Sequence, residues 1–168
     1  PHNSPRRQRQ MCIRDRSPFI HSRFARYENI SLEYLPYKIN EPDFNKFVKE
    51  FFSDKYAKGL NVTLPYKKKA AEINGDISKE AKYINAVNTI TNYKNKLSLA
   101  STDGIGFIDD INSKKFDLEN KKILIIGAGA ASESVLYKVA KSKANAITIL
   151  NRTKEKSEKL QRKYSSIV

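Results

Sequence analysis

From Lys121 to Thr153 the chain reads as an apolar run, a glycine-rich turn, a helical stretch and a second apolar run, and this succession narrows the fold more than any other part. KKILIIG carries Ile123, Leu124, Ile125 and Ile126 without a polar break, which predicts a strand buried on both faces. The turn GAGAAS follows, and Ala146 to Leu150 supplies a second strand. Two strands joined through a helix begin a right-handed parallel unit, so the expected fold class is α/β. In the pattern G-x-G-x-x-(small), Gly127 makes the tight turn and Gly129 lets backbone amides approach a pyrophosphate. Ser132 holds the third small position, and Ala128, Ala130 and Ala131 complete the turn. A phosphate would rest on the positive end of the following helix. Any glycine turn into a helix can mimic this pattern, but both flanking strands are present here, which favours a dinucleotide site.

The end of the second strand selects the dinucleotide. A carboxylate there would accept hydrogen bonds from the ribose of NAD and repel a 2′-phosphate. Asn151, Arg152 and Thr153 stand there instead. A guanidinium can grip a phosphate through two parallel bonds and a threonine hydroxyl can donate to it, which points to NADP.

A second polar cluster lies in NVTLPYK, Asn61 to Lys67. By the two-residue period, Leu60, Val62 and Leu64 share one side of an extended run while Asn61 and Thr63 share the other. Pro65 ends the ladder. An amide, a hydroxyl and Lys67 suit a small polyhydroxylated or carboxylated ligand. The bland alternative is a strand end with a solvated lysine.

Two more motifs come next, INAVNTI from Ile84 to Ile90 and STDGIGF from Ser101 to Phe107. Taken in this order, the four segments resemble the shikimate dehydrogenase family, whose NADP-dependent members reduce 3-dehydroshikimate to shikimate. The resemblance covers about Ser17 to the C-terminus. It implies an N-terminal α/β substrate domain over 17–103, a linking helix and loop over 104–120, and an incomplete Rossmann-like NADP-binding domain over 121–168. The lysine of N-V-T-x-P-x-K and the aspartate of T-D-G form the family's catalytic pair, which implies that role for Lys67 and Asp103. Hydride delivery to a carbonyl carbon leaves an alkoxide that an acid must protonate, and Lys67 is the candidate. Lys68, Lys69 and burial oppose its charge while Asp103 favours it, and the sequence leaves the balance open.

The resemblance also implies substrate contacts from Ser17, Asn61, Thr63, Lys67, Asn88 and Asp103. It matches Asn151, Arg152 and Thr153 to the family's NADP-selecting segment and Lys156 to an assisting cation. Lys156 reads equally well as a solvated helix lysine. Two positions depart from the family pattern: Asp15 replaces the first serine of S-x-S-P, and Asn85 stands where glycine is usual. Asparagine tolerates positive φ better than most residues, which makes the second departure mild. A quinate/shikimate dehydrogenase is the near alternative, and a binding module without redox chemistry the distant one. Retention of both Lys67 and Asp103 argues against the latter. A homodimeric parent enzyme is compatible with the family.

PHNSPRRQRQMCIRDR, residues 1–16, has no apolar periodicity, and MCIRDR resembles a translated sequencing adapter, so the leader is set outside the domains and expected to be disordered. A strand before Ser17 and a returning helix after Val168, bearing a glutamine, complete the family pattern. A fragment without activity of its own is therefore expected. The formal charge is +14, of which the leader contributes five Arg against one Asp, leaving +10 for the rest. The lysines are spread over several segments, which suits solvated faces and the steering of an anionic ligand, and no nucleic-acid partner is expected. No apolar run approaches the roughly 20 residues of a membrane helix, so no membrane partner is expected. A single cysteine, Cys12, lies in the leader, leaving no disulfide framework and no Cys/His metal cluster. A cytoplasmic setting fits.

Periodicity and capping signals predict a helix from Ser17 as N-cap to about Glu28, with Phe19, Ile20, Phe24 and Tyr27 as its apolar stripe, and a strand through Leu32, Tyr34, Leu35 and Tyr37. A helix from Pro42 buries Phe44, Phe47, Val48, Phe51 and Phe52. A strand at Leu60 to Leu64, helices at Lys67 to Ile73 and Ser78 to Ile84, and a hairpin of Ala86 to Thr91 with Lys96 to Ala100 follow. Asp103 to Ile111 is helical, its first turn loosened by Gly104 and Gly106, and a further helix spans 154–164.

Overall fold

The structure, a computed structural model, describes residues 16–167; Cys12, Asp15 and the rest of residues 1–15 lie outside it, as does Val168. Two compact units divide between Asn40 and Glu41 and are described separately.

In the first unit, helix α1 spans Ser17–Tyr27. Ile20 N–H bonds to Arg16 O at 2.9 Å, so Arg16 is the N-cap and the helix starts at Ser17, one residue earlier than the capping signal predicts. The helix closes on Asn29 at φ 53°, with Ile30 N–H returning to Ala25 O at 2.9 Å, the doubled-back C-cap that a left-handed residue permits. Phe19, Phe24 and Tyr27 are exposed, and Ala25 is the buried residue of α1, so the expected apolar stripe is not covered. The strand expected over Leu32 to Tyr37 does not form. No neighbouring segment pairs with it among the described residues, and Pro36 cannot donate to a ladder.

The second unit opens with a short 3₁₀ turn, Glu41–Asp43, that leads into α2, Phe44–Phe51. Strand β1 is Gly59–Asn61, α3 is Lys67–Ala70, β2 is Asp76–Ile77 and α4 is Lys79–Ile84. Strands β3, Thr89–Tyr93, and β4, Lys96–Ala100, form the hairpin. The sheet runs β1-β3-β4-β2, antiparallel except for the parallel β2–β4 pair. Phe44, Val48, Val62, Ala70, Ala81, Val87, Ile90 and Leu99 make its core. The hairpin turn is tighter than expected: Tyr93 pairs with Lys96, leaving Lys94 and Asn95 at φ 50° and 62°. Two positive-φ residues give the turn the twist of its flanking strands. Strand β1 stops at Asn61, three residues early. Tyr66 N–H closes a turn on Thr63 O at 2.9 Å, and Leu64 is 73% exposed instead of sharing the apolar side with Val62.

Helix α5, Asp103–Ser113, leads from this sheet to β5, Lys122–Ile126, then α6, Ala130–Val139, β6, Ala146–Leu150, and α7, Lys154–Tyr164. Strands β5 and β6 are parallel, with Lys122 opposite Ala146 and Ile126 opposite Leu150. Leu136, Ala140, Leu160 and Tyr164 pack with Ile125, Ile147 and Ile149 on one face of this pair. Burial alternates along both strands, so the expectation of a strand covered on both faces is corrected. Leu124, Ile126 and Leu150 are 57%, 74% and 56% exposed, because α6 and α7 cover the opposite face.

Candidate active site

Three backbone contacts draw the polar motifs together. Val62 N–H donates to Asn88 O at 2.7 Å, Val87 N–H to Lys67 O at 2.8 Å, and Asn88 N–H to Ala100 O at 3.0 Å. INAVNTI thus lies between the Asn61–Lys67 segment and the end of β4. Asn85 permits this path: it closes α4 in the left-handed region at φ 54°, where the family's glycine would be unstrained and asparagine is the next best residue. Ser78 caps the other end of α4, its Oγ accepting from Ala81 N–H at 3.2 Å.

Lys67 opens α3 and Asp103 opens α5, and Lys67 Nζ donates to Asp103 Oδ2 at 2.6 Å with the two side chains 13% and 30% exposed. A carboxylate in the first turn of a helix faces the positive end of its dipole. Asn88 Nδ2 donates to the other oxygen, Asp103 Oδ1, at 2.7 Å. The Asn88 Oδ1 atom in turn accepts from Thr102 N–H at 3.0 Å and from the hydroxyls of Thr89 and Thr102 at 2.9 and 3.2 Å. A backbone donor at Oδ1 fixes which end of the amide faces Asp103. Both carboxylate oxygens are therefore held, one by a cation and one by an amide. Asn61 pairs with Thr89 across β1 and β3, and Thr63 follows in the exposed turn, so both border Asn88. Ser17 lies half-buried on α1 in the other unit.

At the second cluster Gly127 N–H bonds to Leu150 O at 2.7 Å, tying the ends of β5 and β6, and its φ of 115° is a glycine conformation. Gly129 is the N-cap of α6, which has no side-chain cap, so the first N–H groups of Ala130, Ala131 and Ser132 have no capping side chain. A Cβ placed on Gly129 would meet nothing within 4 Å, so the protein leaves that space open. Ile126, Gly127, Leu150, Asn151 and Arg152 line a groove at the ends of β5 and β6. Asn151 Nδ2 donates to Thr153 O at 2.7 Å, which shapes the bend into α7. Arg152 is exposed and makes no ion pair among the described residues; Lys156 is exposed on the first turn of α7. Uncapped amides, an open cradle and an uncommitted guanidinium fit a dinucleotide bearing a 2′-phosphate.

The family model for the shikimate dehydrogenase substrate binding domain matches residues 14–90, and that for shikimate / quinate 5-dehydrogenase matches residues 110–168. The shikimate dehydrogenase (NADP(+)) of Legionella pneumophila is 39% identical over 151 residues. The chain belongs to the shikimate dehydrogenase family. That relative is matched over 90% of this chain and 56% of its own length, so the chain spans about half of it. The crystal structure of shikimate dehydrogenase from Aquifex aeolicus superposes with a TM-score of 0.83 at 34% identity, covering 90% of this chain and 56% of that one. A shikimate dehydrogenase solved in complex with NADP⁺ gives a TM-score of 0.83 at 29% identity, covering 90% and 52%.

Some residues of this family member escape sequence reasoning. Thr89 and Thr102 orient Asn88, although each is an ordinary threonine by pattern. Glu80, Ser101 and Ser134 form a buried polar group beside Asp103, and nothing in KEAK or SESV separates them from solvated helix residues. Gly104 was expected to loosen α5. Instead it is buried, and a Cβ there would sit 2.2 Å from Ser134 O, so the glycine is what lets α5 cross α6 closely. Among the described residues no group of three His, Cys, Asp or Glu side chains could hold a metal ion, and no helix is long and apolar enough to cross a membrane.

Proposed function

We propose that this chain carries the substrate pocket and the opening segment of the cofactor site of an enzyme that reduces 3-dehydroshikimate to shikimate with NADPH. The 2.6 Å contact of Lys67 Nζ with Asp103 Oδ2, completed by Asn88 on Oδ1, supports this reading above all. NADPH, when bound, supplies the hydride. Lys67 gives a proton from Nζ to the substrate's carbonyl oxygen as negative charge develops there, and solvent restores the proton afterwards. Asp103 keeps the ammonium aimed into the site, and Asn88 keeps Asp103 from turning away. Asn61 and Thr63, beside Asn88, hold substrate hydroxyls. The amides at the start of α6 hold the pyrophosphate. Arg152, with Asn151, Thr153 and Lys156, holds the 2′-phosphate. In this reading residues 17–103 form the substrate domain, 104–120 the link and 121–168 the cofactor domain.

The test is NADPH consumption on addition of 3-dehydroshikimate, measured with the uninterrupted protein that carries this segment, alongside quinate with NAD⁺ or NADP⁺. Lys67→Ala is expected to lower turnover about 10²- to 10⁴-fold with little change in KM, the signature of a group that acts in the transition state. Turnover near that of the unchanged protein removes Lys67 from the chemistry. A preference for quinate moves the reading to the quinate branch of the family.

A further inference from the structure

Helix α5 begins beside the site without a cap of its own: Thr102 is the N-cap residue, yet its side chain makes no capping bond. The missing acceptor comes from another helix, because Gly104 N–H, next in sequence to Asp103, donates to Ser134 Oγ at 2.9 Å. Ser134 is fully buried on α6, the helix that opens with the GAGAAS turn. Its single proton goes to Glu80 Oε1 at 3.1 Å, so the 3.1 Å contact with Ser101 is one in which the Ser101 hydroxyl donates. One donor and two acceptor positions fill the capacity of a hydroxyl, which leaves Ser134 one orientation. Glu80 is held in turn by Lys138 Nζ at 2.6 Å, also from α6. One side chain thus joins α4, the β4–α5 junction and the dinucleotide helix.

We propose that Ser134 is a positioning residue for the reaction: by capping α5 from α6, it sets the direction in which Asp103 meets Lys67 and fixes that pair relative to the phosphate-binding turn. The inference rests on the reading of Lys67 and Asp103 as the reacting pair, but its test needs no ligand, so either can fail alone. Nuclear magnetic resonance of the 168-residue chain reads two signals, the Gly104 amide exchange rate and the Lys67 ammonium resonance with its coupling across the hydrogen bond to the Asp103 carboxylate. In the unchanged chain the Gly104 amide should exchange slowly and the coupling should be present. In Ser134→Ala the Gly104 amide should exchange about tenfold faster and the Lys67–Asp103 coupling should vanish, while the Lys163 ammonium, paired with Glu133 at 2.6 Å, keeps its signal. Ser101→Ala removes a donor to Ser134 but not the cap, and should keep the Lys67–Asp103 coupling. A merely structural serine would change the melting temperature and leave that coupling in place, which overturns the proposal. If Ser134→Ala does not fold, an unprotected Gly104 amide in the unchanged chain, or loss of the coupling in Ser101→Ala, overturns it equally.

Discussion

At the scale of single residues, the site depends on how few ways each polar group can turn. Asn88 meets a carboxylate with its nitrogen and a backbone N–H with its oxygen, so Asn88→Asp would set two carboxylates against each other at a 2.7 Å contact. We expect that change to abolish shikimate binding where Asn88→Ala weakens it, compared by calorimetric titration. At the proposed cofactor end, Asn151→Asp with Arg152→Ala would remove the cation assigned to the 2′-phosphate and add repulsion. The ratio of NADP⁺ to NAD⁺ affinity should fall about tenfold or more. An unchanged ratio, measured on the same chain, contradicts the placement of the 2′-phosphate. Lys67, Asn88 and Asp103, which the structure brings together, were legible in the sequence through the family resemblance of the motifs that hold them. Thr89, Thr102 and Ser134 were not, because a hydroxyl's partners are set by which segments the fold brings near, and the local pattern carries no trace of them.

At the scale of elements, packing distances decide what pattern cannot. Gly104 and Gly106 sit two residues apart on α5 and read alike in sequence, yet a Cβ on Gly104 would lie 2.2 Å from Ser134 O while one on Gly106 meets nothing within 4 Å. Gly104→Ala should therefore cost about 3 kcal/mol by overpacking, and Gly106→Ala should add about 0.5–1 kcal/mol through helix propensity, both read from denaturant midpoints. Equal effects would mean that α5 and α6 do not cross at Gly104. Helices with a clear period were legible: α2 shows its apolar face. Strand ends were less so. Strand β1 stops at Asn61 because the turn closed by Thr63 and Tyr66 takes over, and β2, two residues long, owes its existence to pairing with β4. The alternation of Leu60, Val62 and Leu64 runs on past the end of β1 and β2 is too short to alternate, so pairing partners distant in sequence decide both.

At the scale of the whole molecule, the second unit has two cores, one under the four-stranded sheet and one between α6, α7 and the β5–β6 pair. Leu160 and Tyr164 of α7 are covered, and the bare apolar surface of the β5–β6 pair is Leu124, Ile126 and Leu150 on the opposite face. Leu124→Ser with Ile126→Thr should raise solubility without lowering the melting temperature, because neither side chain loses a covered position. Burial, with Glu133 adding to it, pushes the Tyr164 phenol above its usual value. The stability this contributes is intact below pH about 10, where the unfolded tyrosine ionises, and is lost as the pH rises beyond it. Tyr164→Phe should accordingly flatten the fall in denaturant midpoint between neutral and strongly alkaline pH. The central claim is that NVTLPYK, INAVNTI and STDGIGF assemble one shikimate site, and titrating shikimate into the 168-residue chain while following backbone resonances tests it most directly. Saturable shifts should gather at Asn61, Thr63, Lys67, Asn88 and Asp103 and disappear in Asn88→Asp. Shifts that do not saturate, or that gather away from these five residues, would contradict the account.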